Sequence, residues 1–433
     1  MRRRIIAEDP DWSITTVPSL SILCLQIIVN NFERNPIFEM LTAAQKEFLQ
    51  ERLSPSLPVQ VTASVLPEGP YWRRCCQQKL AFCDVSVHGH SWKRMFLEKH
   101  LENIIELFIP NVTDPQTVLD VVSVCEKYVK RLDISQLLVP VVEPQKKSKE
   151  NDHDFHWKRY VPPMDHFDFN ILLQRLTNLE ELHLVYRIKQ CGMNFAWNMF
   201  EMTYRDCETL AKALQSCKTL KLFRLHQSHM DDRKCQLLVK HLMDHPSLEE
   251  LDFCHNKIGD VGARAISKLL TRNKLQTLNL CNNLISCQGA RAIALALSKN
   301  CTLESLNLLL NMIKDEGGQA IAEALLNNTT LHNLNLGGNY LTSVTAEAVS
   351  KVLTENTTLQ SLNLSCNQLC EVGGEALVAA LSQNSTIKEC DVHLTQVDDQ
   401  RSFLINKLLW ANQMSQLKTQ QKGDAPKKTF ALN

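Results

Sequence analysis

The sequence predicts an α/β solenoid, one short strand and one helix repeated along the chain, preceded by a mostly helical domain. Three observations carry this expectation. Five segments beginning at Leu248, Leu275, Leu303, Leu331 and Leu359 align with one another, at steps of 27, 28, 28 and 28 residues. Each opens on an L-x-x-L-x-L-x-x-N pattern or a close variant of it, as in LHNLNLGGN from Leu331. Each then passes through a short turn into apolar residues at helical spacing, as in GDVGARAISKLL.

The strand is read from a period of two. Leu334 and Leu336 fall on one face and Asn335 on the other. The helix is read from Ala263, Ile266 and Leu270, which face back toward the strand leucines. Asn256, Asn283, Asn311, Asn339 and Asn367 take the position where an amide can bond the turn leaving the strand. No unit can bury its apolar face alone, so the units stack and share a core. Strands sit roughly 4.8 Å apart while packed helices need roughly 8–10 Å, so the stack curves with its strands on the concave side. The pattern is the leucine-rich-repeat signature in its long, helix-containing, ribonuclease-inhibitor-like form, a horseshoe.

Weaker copies extend the array. LKLFRLHQS from Leu220 and IKECDVHLT from Ile387 lie 28 residues outside the clear copies. LEELHLVYR from Leu179 lies 41 residues before Leu220, one repeat plus 13. The predicted organisation is therefore a helical domain at 1–110, a degenerate repeat region and polar linker at 111–178, repeats at 179–397, a capping helix at 398–414 and a Lys-rich disordered tail at 415–433. Within the first domain, SWKRMFLEKHLENIIELF starts at an N-cap, Ser91, with Met95, Leu101, Ile105 and Phe108 as an apolar stripe and Lys93, Arg94, Lys99 and Glu102 off it. VKRLDISQL from Val129, after the helical PQTVLDVVSVCEKY, matches the strand part of the repeat. The linker from Glu143 carries His153, His156, Asp152 and Asp154, read as an exposed polar run and not as a metal site. At the other end Phe403, Leu404, Leu408 and Trp410 suit a helix that seals the last repeat.

Composition narrows the function. Lys plus Arg and Asp plus Glu both number 47, so no net field favours nucleic acid or an acidic membrane, and neither is expected as a partner. The 16 cysteines show no C-x-x-C pair, which suggests reduced thiols in the cytosol; Cys254, Cys281 and Cys366 recur near one repeat position, as small-residue packing would place them. Charges and a proline follow MRRRII too soon for a signal peptide. The N-x-[ST] motifs at Asn327, Asn328, Asn356 and Asn384 would mark a secreted chain. Yet Asn300, Asn328, Asn356 and Asn384 each stand three residues before a strand start, and are expected to be left-handed helix ends. No phosphate loop, H-E-x-x-H or G-x-S-x-G is present, so no catalytic residue, metal or cofactor is expected.

Binding is the remaining task. The residue between the paired apolar positions of each strand should line the concave face: Arg224, Asp252, Asn279, Asn307, Asn335, Asn363 and Asp391. The 13-residue excess near 188–202 brings Phe195, Trp197 and Phe200, unusually apolar for an insertion and a second candidate for partner docking.

IIAEDPDWSITTVPSL, YWRRCCQQ, SWKRMFLEKHLENIIELFIP and LDISQLLVP, ahead of long leucine-rich repeats, resemble the T-complex-associated testis-expressed family. These are leucine-rich-repeat subunits of the nexin–dynein regulatory complex. The resemblance implies a non-enzymatic structural role in the axoneme of motile cilia and sperm flagella. It implies other subunits of that complex as partners, a second leucine-rich-repeat subunit among them, with doublet microtubules or dynein components as further neighbours. The NPIF, YWRRCC and SWKRMF blocks are faintly similar to ubiquitin-ligase adaptors, which gives an alternative reading as a substrate receptor. A small-GTPase activator offering Arg224, Arg264 or Arg291 is a third.

Overall fold

The computed structural model describes residues 19–141, 165–189, 191–194 and 197–423. The linker histidines and aspartates, Phe195 and the side chain of Trp197 lie outside the described residues. The chain divides into two compact units, Met1–Lys99 with Ser123–Cys125, and His100–Val122 with Glu126–Asn433. The division falls inside a helix, between Lys99 and His100.

The first unit is helical: α1 (Leu20–Asn31), α2 (Ala43–Arg52), α3 (Val59–Val65), α4 (Pro70–Lys79) and the start of α5 (Trp92–Glu106). Trp72, Tyr71, Phe32, Leu49 and Leu53 fill its core, and the Trp72 indole N–H donates to Pro67 O at 2.9 Å. Ser91 accepts the Arg94 N–H, the expected cap. Met95, Leu101, Ile105 and Phe108 are buried as their spacing predicts, but Lys93 and Glu102, expected off the stripe, are buried as well. Each has a partner that permits it. The Lys93 ammonium donates to Leu66 O at 2.8 Å and lies over the Trp72 ring, and Glu102 accepts the Asp133 N–H at 2.8 Å.

In the second unit α6 (Pro115–Cys125) precedes β1 (Arg131–Ile134), and α7 (Asn170–Leu173) precedes β2 (Glu181–Val185). The regular array follows: α8 (Tyr204–Ser216), β3 (Leu222–His226), α9 (Asp232–Leu242), β4 (Glu250–Asp252), α10 (Asp260–Leu270), β5 (Thr277–Asn279), α11 (Cys287–Leu297) and β6 (Ser305–Asn307). It continues through α12 (Lys314–Asn327), β7 (Asn333–Asn335), α13 (Ser343–Glu355), β8 (Ser361–Asn363), α14 (Cys370–Leu381), β9 (Glu389–Asp391) and α15 (Asp399–Gly423). Among the described residues one sheet holds nine strands in chain order, every neighbouring pair parallel. This is a leucine-rich-repeat solenoid.

Polar ladders lock one repeat to the next. Asn256, Asn283, Asn311, Asn339 and Asn367 are buried, and each donates Nδ2 both to its own turn and to a carbonyl one repeat back; Asn339 reaches Leu308 O at 2.9 Å. A second ladder overturns an expectation. Asn328 and Asn356 are extended, at φ −85° and −81°, and not left-handed. Extended backbone lets Asn328 Oδ1 accept the Thr330 and Leu331 N–H groups while Nδ2 donates to Leu297 O and Asn300 O of the preceding repeat. Asn356 repeats the arrangement, and Asn300 and Asn384 keep one carbonyl of the preceding repeat and add a threonine hydroxyl. Left-handed residues do occur at His255, Asn282, Leu310, Gly338 and Cys366, immediately before the first ladder's asparagines, and at Asn273, beside the one-residue deletion.

Helix starts are tied in the same way. Asp260, in the first turn of α10, accepts the Ser286 and Gly289 N–H groups at 2.8 Å, capping the next helix, α11. A Cβ at Gly289 would lie 2.7 Å from that carboxylate, so the close approach requires glycine there. At the C-terminal end Ile405 and Leu409 cover the last repeat, and Asn412 donates to Asn384 O and Ile387 O at 3.0 Å, completing the buried ladder. Phe403, Leu404 and Trp410, expected to seal the repeat, are exposed, because the helix turns Ile405 and Leu409 inward instead. The helix also runs to Gly423, past the expected end at 414. No described helix is long and apolar enough to cross a membrane.

Candidate protein-interaction surface

Strand register assembles the predicted concave residues into one row. Arg224 pairs with Asp252, then follow Asn279, Asn307, Asn335, Asn363 and Asp391, one per strand. Asp133 and His183 extend the row at its other end. Sequence spacing missed those two because the 13-residue insertion and the linker break the period, although LDISQL and LEELHL carry the strand pattern. Beside it runs a second row, Glu250, Thr277, Ser305, Asn333, Ser361 and Glu389.

The asparagines of the row are oriented by their own backbone. Asn279, Asn307, Asn335 and Asn363 each accept, through Oδ1, the N–H two residues on, at 3.1, 3.0, 3.1 and 2.8 Å. A backbone N–H can only donate, so the facing atom must be the oxygen, and the NH2 group of each amide is left to the concave side. The middle of the face is thus a ladder of donors at strand spacing. Ser305, Asn307, Asn333, Asn335, Ser361 and Asn363 line a concavity of about 260 Å³ that has no charged side chain among its lining residues. Such a surface suits partner groups that accept hydrogen bonds.

The N-terminal end of the row is charged and internally paired. Arg224 Nε donates to Asp252 Oδ2 at 3.0 Å, and His226 Nε2 lies 2.9 Å from Asp252 Oδ1. Burial pushes the Asp252 carboxyl up, but the His226 ring, the Cys254 N–H and Arg224 outweigh it and hold the group down to about 2. Burial, then the Arg131 and Arg224 charges, lowers His183 to about 4, so it is neutral at pH 7. Arg224 is therefore engaged within the sheet, Arg264 bonds Asp260 O in its own helix, and Arg291 pairs with Glu316 at 2.9 Å. Of the cysteines expected as small-residue packing, Cys254 and Cys281 are buried, whereas Cys366 is exposed.

The insertion forms two short 3-10 turns, Gly192–Asn194 and Trp197–Phe200. Met193 is fully exposed and Phe200 half-buried, while Met202 is buried and ties the segment down by donating to Ser228 O at 3.1 Å.

A family model described as Leucine Rich repeat matches residues 244–267, 299–322 and 355–378. Dynein regulatory complex subunit 5 of Macaca fascicularis is 47% identical over 270 residues, 62% of this chain and 54% of that protein. The Mus musculus protein of the same name is 48% identical over 268 residues, 61% of this chain and 54% of that protein. The Chlamydomonas reinhardtii one is 32% identical over 222 residues, 51% of this chain and 50% of that protein. The chain spans about half the length of these relatives.

Proposed function

We propose that this chain is a non-enzymatic structural subunit of the nexin–dynein regulatory complex in the axoneme of cilia and flagella, of the T-complex-associated testis-expressed kind. Its solenoid holds other subunits of the complex, a second leucine-rich-repeat subunit among them, and so supports dynein regulation and motility. The observation that carries this reading is the 47% identity over 270 residues to a protein named Dynein regulatory complex subunit 5. The concave donor ladder gives the reading a surface: Asn279, Asn307, Asn335 and Asn363 present fixed amide donors, with Arg224, Asp252 and Asp391 toward the ends. The insertion with Phe195, Trp197 and Phe200 is the second contact region.

The GTPase reading is disfavoured by the engagement of its three arginines, Arg224 with Asp252, Arg264 with Asp260 O and Arg291 with Glu316. Affinity capture of the tagged chain from ciliated cells tests the proposal. It recovers other dynein regulatory complex subunits; recovery of cullin-adaptor proteins in their place contradicts it and favours the ubiquitin-ligase alternative.

A further inference from the structure

Three side chains of different chemistry meet at the charged end of the concave row. His226 closes β3, Asp252 closes β4, and Cys254 follows two residues later; their ligand atoms all lie within 4.8 Å of one another. The repeat brings a fourth group alongside. Leu251 pairs with Leu278 and Asp252 with Asn279, so Cys281 occupies on the next strand the position of Cys254, and the His255 N–H donates to Cys281 O at 2.9 Å. Both thiols are buried.

We propose that His226, Asp252, Cys254 and Cys281 form a tetrahedral zinc site on the concave sheet. One imidazole, one carboxylate and two thiols are ligands that zinc takes, at about 2.0–2.3 Å. A tetrahedron with such bonds has edges of roughly 3.3–3.8 Å, so His226, Asp252 and Cys254, already within 4.8 Å of one another, need contract by only about an ångström, and Cys281 would close on them from the neighbouring strand. His226 Nε2 is buried and lies 2.9 Å from Asp252 Oδ1, so the imidazole and the carboxylate already converge on one point.

Charge balance favours the site. Two thiolates and one carboxylate carry three negative charges; zinc and Arg224 carry three positive ones, so the loaded cluster is neutral, as a half-buried ionic group must nearly be. Arg224 holds Oδ2 of Asp252 and leaves Oδ1 toward His226, the role an outer partner plays in orienting a ligand. Zinc takes thiols as thiolates, so any thiol protons pass to solvent on binding and affinity rises with pH. The ligand spacing equals the repeat length, which is why no finger-like motif shows in the sequence.

The test uses the purified full chain, reduced and stripped with chelator, titrated with Co(II) and then Zn(II). One Co(II) per chain binds, with the thiolate-to-metal charge-transfer band and strong visible bands of a tetrahedral site, and Zn(II) displaces it. Cys254→Ser or Cys281→Ser weakens the charge-transfer band, the double variant loses it, and Cys366→Ser leaves it intact. Arg224→Ala weakens zinc binding about 10–100-fold. Absence of the band in the unmodified chain, or its persistence in the double variant, overturns the proposal. Should the double variant fail to fold, His226→Asn decides: zinc affinity lower by at least about tenfold supports the site, and unchanged affinity overturns it.

Discussion

Asn328 and Asn335 stand seven residues apart in one repeat and do opposite work. Asn328 is buried and spends all its bonds inside the array, while Asn335 accepts one bond from its own turn and offers its amide donors outward. Replacing each by Asp separates the roles. Asn335→Asp keeps the accepting oxygen and should change unfolding free energy by no more than about 0.5 kcal/mol. Asn328→Asp removes two buried donor bonds and buries a charge, and should cost about 3 kcal/mol or more in denaturant unfolding. In the folded array the Asn328, Asn356 and Asn384 amides are buried and hydrogen-bonded, as a repeated turn requires, whereas Asn327 is exposed. The sequence located that turn through the recurrence of Asn. It could not assign its backbone, because an amide side chain serves a left-handed end and an extended turn equally well.

His183 makes a second prediction at the residue scale. Burial, with Arg131 and Arg224 nearby, lowers its folded pKa from 6.5 to about 4. The unfolded chain therefore takes up the proton first. The neutral ring is no burden above pH 6.5, and stability falls as pH drops from 6.5 toward 4, by roughly 3 kcal/mol at about 1.4 kcal/mol per unit. Unfolding curves between those pH values should flatten in His183→Phe; an unchanged slope would mean that His183 does not titrate as its surroundings dictate.

Among the elements, those with a strict 28-residue period were the most legible, since five copies fix strand, turn and helix together. Lys93, Glu102 and Trp410 were misjudged because helical spacing shows which residues share a face but not which partner waits there. Lys93 meets a carbonyl and an indole ring, Glu102 meets a strand N–H, and Trp410 meets solvent. Helix-to-helix packing offers a test. Gly289→Ala improves helix propensity by about 1 kcal/mol, yet its methyl would collide with Asp260 and Ala263, so the variant should be less stable by about 1–3 kcal/mol. Cap closure offers another. Asn412→Ala leaves Asn384 O and Ile387 O without that donor and should loosen the last repeat first, seen as faster amide exchange in β9 than in β5.

At the scale of the whole molecule, the array is a row of identical turns that carries a variable face. The seven concave residues named from sequence fall in one row because parallel strands in register leave no other arrangement. Their hydrogen-bond polarity was not legible, since only the fold shows that each Asn oxygen is already used. Asn307→Asp with Asn335→Asp turns outward donors into acceptors without removing the turn bonds, and should weaken subunit capture from ciliated extracts by at least about tenfold while stability holds. Trp197→Ala with Phe200→Ala should reduce capture in the same assay and leave thermal stability nearly unchanged; a large loss of stability would assign the insertion to the core.

The most direct measurement is an image of native axonemes at side-chain resolution. The solenoid should lie within the regulatory complex between neighbouring doublets, with density from another subunit against Asn307 and Asn335. A chain absent from that complex, or a concave face open to solvent throughout the assembly, would contradict it.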